Sequence, residues 1–97
     1  MSASAAFDDD ATFRALADPT RRQILSFVGS RDLPTVGEIS EHFPEIGRTA
    51  VSSHLRVLRE ATLLSEVRDG QRRRYRLGPN RADAAIDYLR QIYSFNV

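Results

Sequence analysis

After Leu64 the hydrophobic period of the chain changes from helical to alternating, and that change limits its fold more than any other feature. From Arg48 to Thr62 apolar side chains recur at helical spacing. After Leu63 and Leu64 the pattern alternates every second residue around Asp69-Gly70, the dipeptide most typical of a tight hairpin. At about 100° per residue, Val51, Leu55 and Leu58 fall within about 60° of arc and form a core stripe. Thr49, Ser52, Ser53 and Arg56 lie opposite, centred about 150° away by the same arithmetic. Ser65–Arg68 and Arg72–Leu77 read as the two strands, with Val67, Tyr75 and Leu77 toward the core. Arg74 and Arg76 alternate outward, and Arg68 and Arg72 sit near the tip.

Signals upstream place three more helices. Phe13, Leu16 and Ala17 give Ala11–Ala17 a short apolar stripe, and Asp8, Asp9 and Asp10 suit the positive end of that helix. Asp18 as N-cap and Pro19 at the first helical position start a second helix over Pro19–Val28. Its buried side is Ile24, Leu25, Phe27 and Val28, and Gly29 ends it. Arg21 and Arg22 are expected to face outward. Thr35 and Glu38 form a capping box before a short helix over Val36–Phe43, with Val36, Ile39 and Phe43 inward and Pro44 as its stop. A brief turn then leads into Arg48–Thr62, so the two helices make a helix-turn-helix. Past Gly78, a last helix opening at Pro79 or Asn80 and reaching nearly to Val97 places Ala82, Ala85, Ile86, Leu89, Ile92 and Tyr93 on one face. The expected fold is mainly α with a small β hairpin, in the order α-α-α-α-β-β-α. A flexible tail over residues 1–8 precedes one domain over 9–97.

Charge is concentrated. Residues 47–77 hold eight arginines against three acids, a balance of +5, whereas the whole chain is only +1 and the remainder therefore sums to −4. The four side chains opposite the core stripe are small or flexible hydrogen-bonding groups, suited to a helix that enters a major groove. An ordinary solvent face would carry more Glu and Lys. A hairpin tip this basic is costly to hold together without counter-charge, which phosphate supplies. Double-stranded DNA is thus the expected partner, read by Thr49, Ser52, Ser53 and Arg56 and gripped by Arg68, Arg72 and Arg74.

Ninety-seven residues lie near the small end of what folds around one core. Burial in a homodimer is therefore expected, through Phe13 and Leu16 with Ala82, Ala85, Ile86, Leu89, Ile92 and Tyr93. The absence of cysteine excludes disulfides, thiol chemistry and Cys-ligated metal. No membrane-spanning stretch or signal sequence is apparent, so a cytoplasmic location is expected. Ser52, Ser53 and His54 are neighbours on one helix and diverge, so they cannot form a nucleophile–base pair, and no enzyme activity is expected.

Three segments, FRALADPTRRQIL, AVSSHLRVLREA and VRDGQRRRYRL, in this order and spacing, resemble the ArsR/SmtB family of bacterial winged-helix transcriptional regulators. The similarity runs roughly from Ala11 to Leu77, and ADPTRRQIL looks most like the branch without cysteine metal sites. It implies a homodimeric repressor whose terminal helices pair, each subunit offering a recognition helix and a wing. Arg48, Thr49, Ser52, Ser53 and Arg56 match the family's recognition-helix contact positions, and Arg68, Arg72 and Arg74 match its wing. His54 matches a His usual just before the core Leu55. The chain departs from the pattern in three places. VGEISEHF stands where metal sensors carry a cysteine pair, the final helix offers only Asp83 and Asp87 as ligands, and Gly47 replaces the usual Ser cap. No cofactor or metal is expected. A metal-responsive alternative has only His42, Asp83, Asp87 and Asp8–Asp10 to draw on. A regulator that depends on a partner protein for sensing is the other alternative.

Overall fold

The computed structural model describes the backbone of residues 3–94 and the side chains of residues 10–94. Seven elements follow in order: α1 (Ala3–Leu16), α2 (Pro19–Gly29), α3 (Val36–His42), α4 (Gly47–Glu60), β1 (Leu64–Asp69), β2 (Arg72–Leu77) and α5 (Asp83–Ser94). The core is Ile24 and Val28 of α2, Ile39 of α3, Val51, Leu55 and Leu58 of α4, with Leu63, Leu64 and Tyr75 beneath the hairpin. Leu25, Phe27 and Val36 pack against it half-buried. The expected apolar stripes are therefore the ones that meet.

Several starts follow local chemistry. Asp18 accepts from the amides of Thr20 and Arg21 at 2.7 and 3.2 Å, capping α2. Burial is the largest single influence and disfavours its charge, but the two amides together with the nearby His54 and Arg21 outweigh it and hold the carboxyl below the usual 3.8. At α3 both halves of the capping box form, Glu38 N donating to Thr35 Oγ1 at 3.1 Å and Thr35 N to Glu38 Oε1 at 2.8 Å.

Other boundaries differ from expectation. Helix α1 already runs from Ala3, so the tail expected over residues 1–8 is helical backbone from there on, while Met1 and Ser2 lie outside the described residues. Helix α4 ends at Glu60, two residues early, in a Schellman turn. Thr62 takes φ +58° there, Thr62 N donates to Arg59 O at 2.9 Å and Leu63 N to Leu58 O at 2.9 Å. A β-branched residue in the left-handed region is unusual, and sequence rules look for Gly at such a stop. Helix α5 starts at Asp83 because Asn80 is engaged elsewhere: its Nδ2 donates to Ala61 O at 2.8 Å and Thr12 Oγ1 at 2.9 Å, and its Oδ1 accepts from Ala82 N at 2.8 Å. One side chain thus joins α1, the end of α4 and the entry to α5. Gly78 is required nearby, since a Cβ there would collide with the Thr62 carbonyl.

The strands are antiparallel and pair from Leu64 with Leu77 to Asp69 with Arg72. The two-residue loop is therefore Gly70-Gln71, one position later than expected. Gly70 has φ +64°, as a type II′ turn requires at its first central residue. Tyr75 N donates to Pro34 O at 3.0 Å and Thr35 bridges Arg74, so the segment before α3 adds a short third edge to the hairpin. Tyr75 is buried as expected, but Leu77, also expected inward, is 52% exposed. Among the described residues no helix is long and apolar enough to cross a membrane.

Candidate nucleic-acid interface

Helix α4 buries Val51, Leu55 and Leu58 and turns Arg48, Thr49, Ser52, Ser53 and Arg56 to solvent. This is the arrangement its periodicity predicts. Its first turn begins at Gly47, φ +77°, after Ile46, and no side chain caps it. The leading amides therefore have no side-chain acceptor. A cleft of about 460 Å³ separates the start of this helix from the wing, with Arg48 and Ser52 on one wall and Gln71, Arg72 and Arg73 on the other. Thr35, Val36 and Gly37 close its base.

The arginines divide into two groups. Arg48, Arg56, Arg68, Arg72 and Arg76 are exposed and, among the described residues, have no ion pair or hydrogen bond. Arg59, Arg73 and Arg74 are held within the fold. Glu66 on β1 faces Arg59 of α4 at 3.5 Å and Arg73 of β2 at 3.6 Å, and accepts from Tyr75 Oη at 3.4 Å. Burial, with the nearby Glu66 charge, raises the Tyr75 phenol above its ordinary range, so it stays a neutral donor. Glu66 thereby ties wing to helix. Arg74, expected among the outward cations, is instead half-buried: its Nε donates to Asp69 Oδ2 at 2.8 Å and its Nη1 to Leu33 O at 2.9 Å. Two-residue alternation put it outward, but the extra edge at Thr35 covers that side of β2. Arg76 is the free wing cation that the expected contact set omitted, although the same alternation marks it.

Arg21 is likewise not outward. It is drawn to the last carbonyls of α1 and to His54 on α4, at 2.8, 3.1 and 3.3 Å. Arg22 also turns back, to Leu16 O at 2.6 Å. Local pattern rules could not have found these partners.

The residues expected at a dimer contact fall into two sets. Ala85 is 4% exposed and packs within the protomer, and Phe13 is half-buried with its ring edge-on to Tyr88 at 6.1 Å. Leu16 and Ala82 are half-buried. Ile86, Leu89, Ile92 and Tyr93 are 41, 42, 41 and 69% exposed. The residues of the metal alternative do not converge: among the described residues no three His, Asp or Glu side chains come together. His42 stacks on Phe27 at 4.2 Å, and Asp87 faces Arg90 at 3.9 Å. The side chains of Asp8 and Asp9 lie outside the described residues.

Residues 16–67 match a family described as a helix-turn-helix domain. The transcriptional repressor SdpR of Bacillus subtilis is 38% identical over 77 residues, covering 79% of this chain and 83% of that protein. An ArsR-like transcriptional regulator from Rhodococcus superposes with a TM-score of 0.82 at 26% identity, over 97% of this chain and 84% of that one. The chain belongs to the ArsR-type winged-helix regulators. A further structure, described as a homodimeric winged helix-turn-helix DNA-binding domain from Mycobacterium bovis, gives a TM-score of 0.74 at 26% identity, over 95% of this chain and 82% of that one. This ArsR-type chain is a DNA-binding transcriptional regulator and not an enzyme. Its α3 and α4 make the helix-turn-helix, and β1–β2 is the hairpin that follows it in the winged fold.

Proposed function

We propose that the protein is a homodimeric repressor that occludes a roughly palindromic operator. Two α4 helices enter successive major grooves about 34 Å apart, one helical turn of DNA. Thr49, Ser52, Ser53 and Arg56 read base edges, with Arg56 the group suited to a bidentate guanine contact. Arg48, Arg68 and Arg72 neutralise backbone phosphate, supplying affinity and salt dependence more than sequence preference. Arg74 supports the wing from behind. The observation that carries this reading is the exposed polar stripe of α4 beside five arginines without internal partners.

The dimer forms through α1 and α5. Ile86, Leu89 and Tyr93 give α5 a large apolar face that its own protomer leaves open, as expected of a small domain that completes its core by pairing. The homodimeric relative supports a dimer as such. DNase footprinting on the DNA upstream of the protein's own gene, with binding isotherms at several salt concentrations, tests the proposal. A protected inverted repeat and a dimer-dependent isotherm are expected. Equal affinity for that DNA and for random duplex would refute it.

A further inference from the structure

Arg21 contacts two elements outside its own helix with all three of its nitrogens. Its Nε donates to Ala15 O at 2.8 Å and Nη2 to Arg14 O at 3.1 Å, both at the C-terminal end of α1. The third, Nη1, meets His54 Nδ1 on the recognition helix at 3.3 Å. Asp18 Oδ2 lies 3.8 Å from that same Nη1 and helps hold the guanidinium in place. A guanidinium only donates, so Nδ1 of His54 must accept and the ring proton sits on Nε2. His54 lies about 150° around α4 from the centre of the polar stripe, half-buried on the flank toward α2. It is therefore remote from a base-reading role.

We infer that Arg21 and His54 are positioning residues that fix the recognition helix relative to α1, so that movement of α1 is transmitted to the DNA-reading face. The inference rests on α4 being the DNA-reading helix and on α1 belonging to the proposed dimer contact. α1 and α4 are separated in sequence by α2 and α3, and this side-chain bridge gives a shift of the α1 terminus a direct route to α4. Lysine cannot replace Arg21, because one ammonium cannot reach two α1 carbonyls and the ring nitrogen together. Asparagine can stand in for His54, since its Oδ1 occupies nearly the place of Nδ1 and also accepts.

The test uses the full chain and a duplex selected by the wild-type protein from a random-sequence library. Affinity for that duplex and for an unrelated duplex is measured for wild type, Arg21→Lys, Arg21→Gln, His54→Leu, His54→Asn and the double variant Arg21→Gln/His54→Leu. All measurements are made well below each melting temperature. Losing a hydrogen bond to a charged group corresponds to about tenfold in affinity. Arg21→Gln, Arg21→Lys and His54→Leu are each expected to lower the ratio of specific to non-specific affinity by that factor. The double variant should lose no more than either single one, and His54→Asn should stay near wild type. A His54→Leu ratio equal to wild type, or His54→Asn behaving as His54→Leu, would overturn the inference while leaving the proposed function standing. Losses that multiply in the double variant would also overturn it. Failure of the wild-type protein to select any sequence would instead remove the reading beneath it.

Discussion

Arg74→Ala and Arg72→Ala remove the same charge from the same strand, yet should have different consequences. Arg74 donates to Leu33 O at 2.9 Å and to Asp69 at 2.8 Å. Leu33 has φ +50° immediately before Pro34, and Arg74 holds the carbonyl of that constrained turn. A hydrogen bond from a charged donor contributes about 1.5–3 kcal/mol, and an ion pair with a carboxylate as exposed as Asp69 adds less than about 1. Their loss together amounts to about 2 kcal/mol, taken toward the low side because Asp69 is well solvated. For a domain of this size that corresponds to a fall of about 8–16 °C in melting temperature. Arg72 has no partner among the described residues, so its truncation should leave the melting temperature within error. It should instead reduce the slope of log affinity against log salt by about 1, the signature of one lost phosphate contact. Thermal melts and salt titrations on both variants decide the matter. If Arg74→Ala melts with wild type and loses salt slope, the division of the wing into anchoring and DNA-facing arginines is wrong.

Arg56→Ala should weaken the cognate site by about 1–3 kcal/mol while sparing random DNA, as gel shifts on both duplexes will show; equal losses would remove Arg56 from base reading. Leu89→Asp should dissociate the dimer at least about tenfold more readily, because symmetry counts twice the lost burial of a side chain half open in the protomer, about 1 kcal/mol per copy. Circular dichroism should still show a folded protomer, since Leu89 is already 42% exposed there, and an unchanged sedimentation profile would exclude α5 from the contact. Asp18 has its carboxyl held low by the amides it caps, so its charge stabilises the fold above its ordinary value of 3.8 and that contribution fades as pH falls through the lower folded value. Asp18→Asn keeps a cap acceptor, so its melting deficit at neutral pH should close in acid below 3.8, and a deficit constant with pH would show that the charge is irrelevant. Thr62→Gly relieves a left-handed β-branched residue and should stabilise by about 1 kcal/mol; a lower melting temperature would mean that the Thr62 hydroxyl bond to Ala61 O outweighs the strain.

What the sequence made legible is what short-range chemistry decides. Asp18 before Pro19, Thr35 with Glu38, the core stripe of α4 and the paired strands all lie within a few residues of the signals that specify them. The errors in polar contacts have one physical origin: polar side chains choose partners that sequence distance hides. Arg21 reaches His54 33 positions away, Arg74 reaches Leu33 41 positions away, and Asn80 reaches Thr12 68 positions away. Each of these side chains carries several donors and a long or rotatable stem. Pattern rules could place its backbone but not its head group. The stop of α4 was misread for a related reason, since Thr62 occupies a left-handed position that propensity reserves for Gly, and the packed Gly78–Asn80 segment holds it there.

The balance of +5 between residues 47 and 77 is a correct count that overstates how much charge meets a ligand. Glu66 and Asp69 sit inside the window and engage Arg59, Arg73 and Arg74, so these three arginines shape the hairpin and join it to α4. The free cations, by contrast, lie at the start of α4, on its polar face and along the wing, where among the described residues no carboxylate forms an ion pair with them. A surface meant only to be solvated would gain from pairing these groups locally, as the chain does a few residues away. Leaving them unpaired beside a hydroxyl-rich helix makes sense when the counter-charge is external and regularly spaced, and a DNA backbone offers both properties.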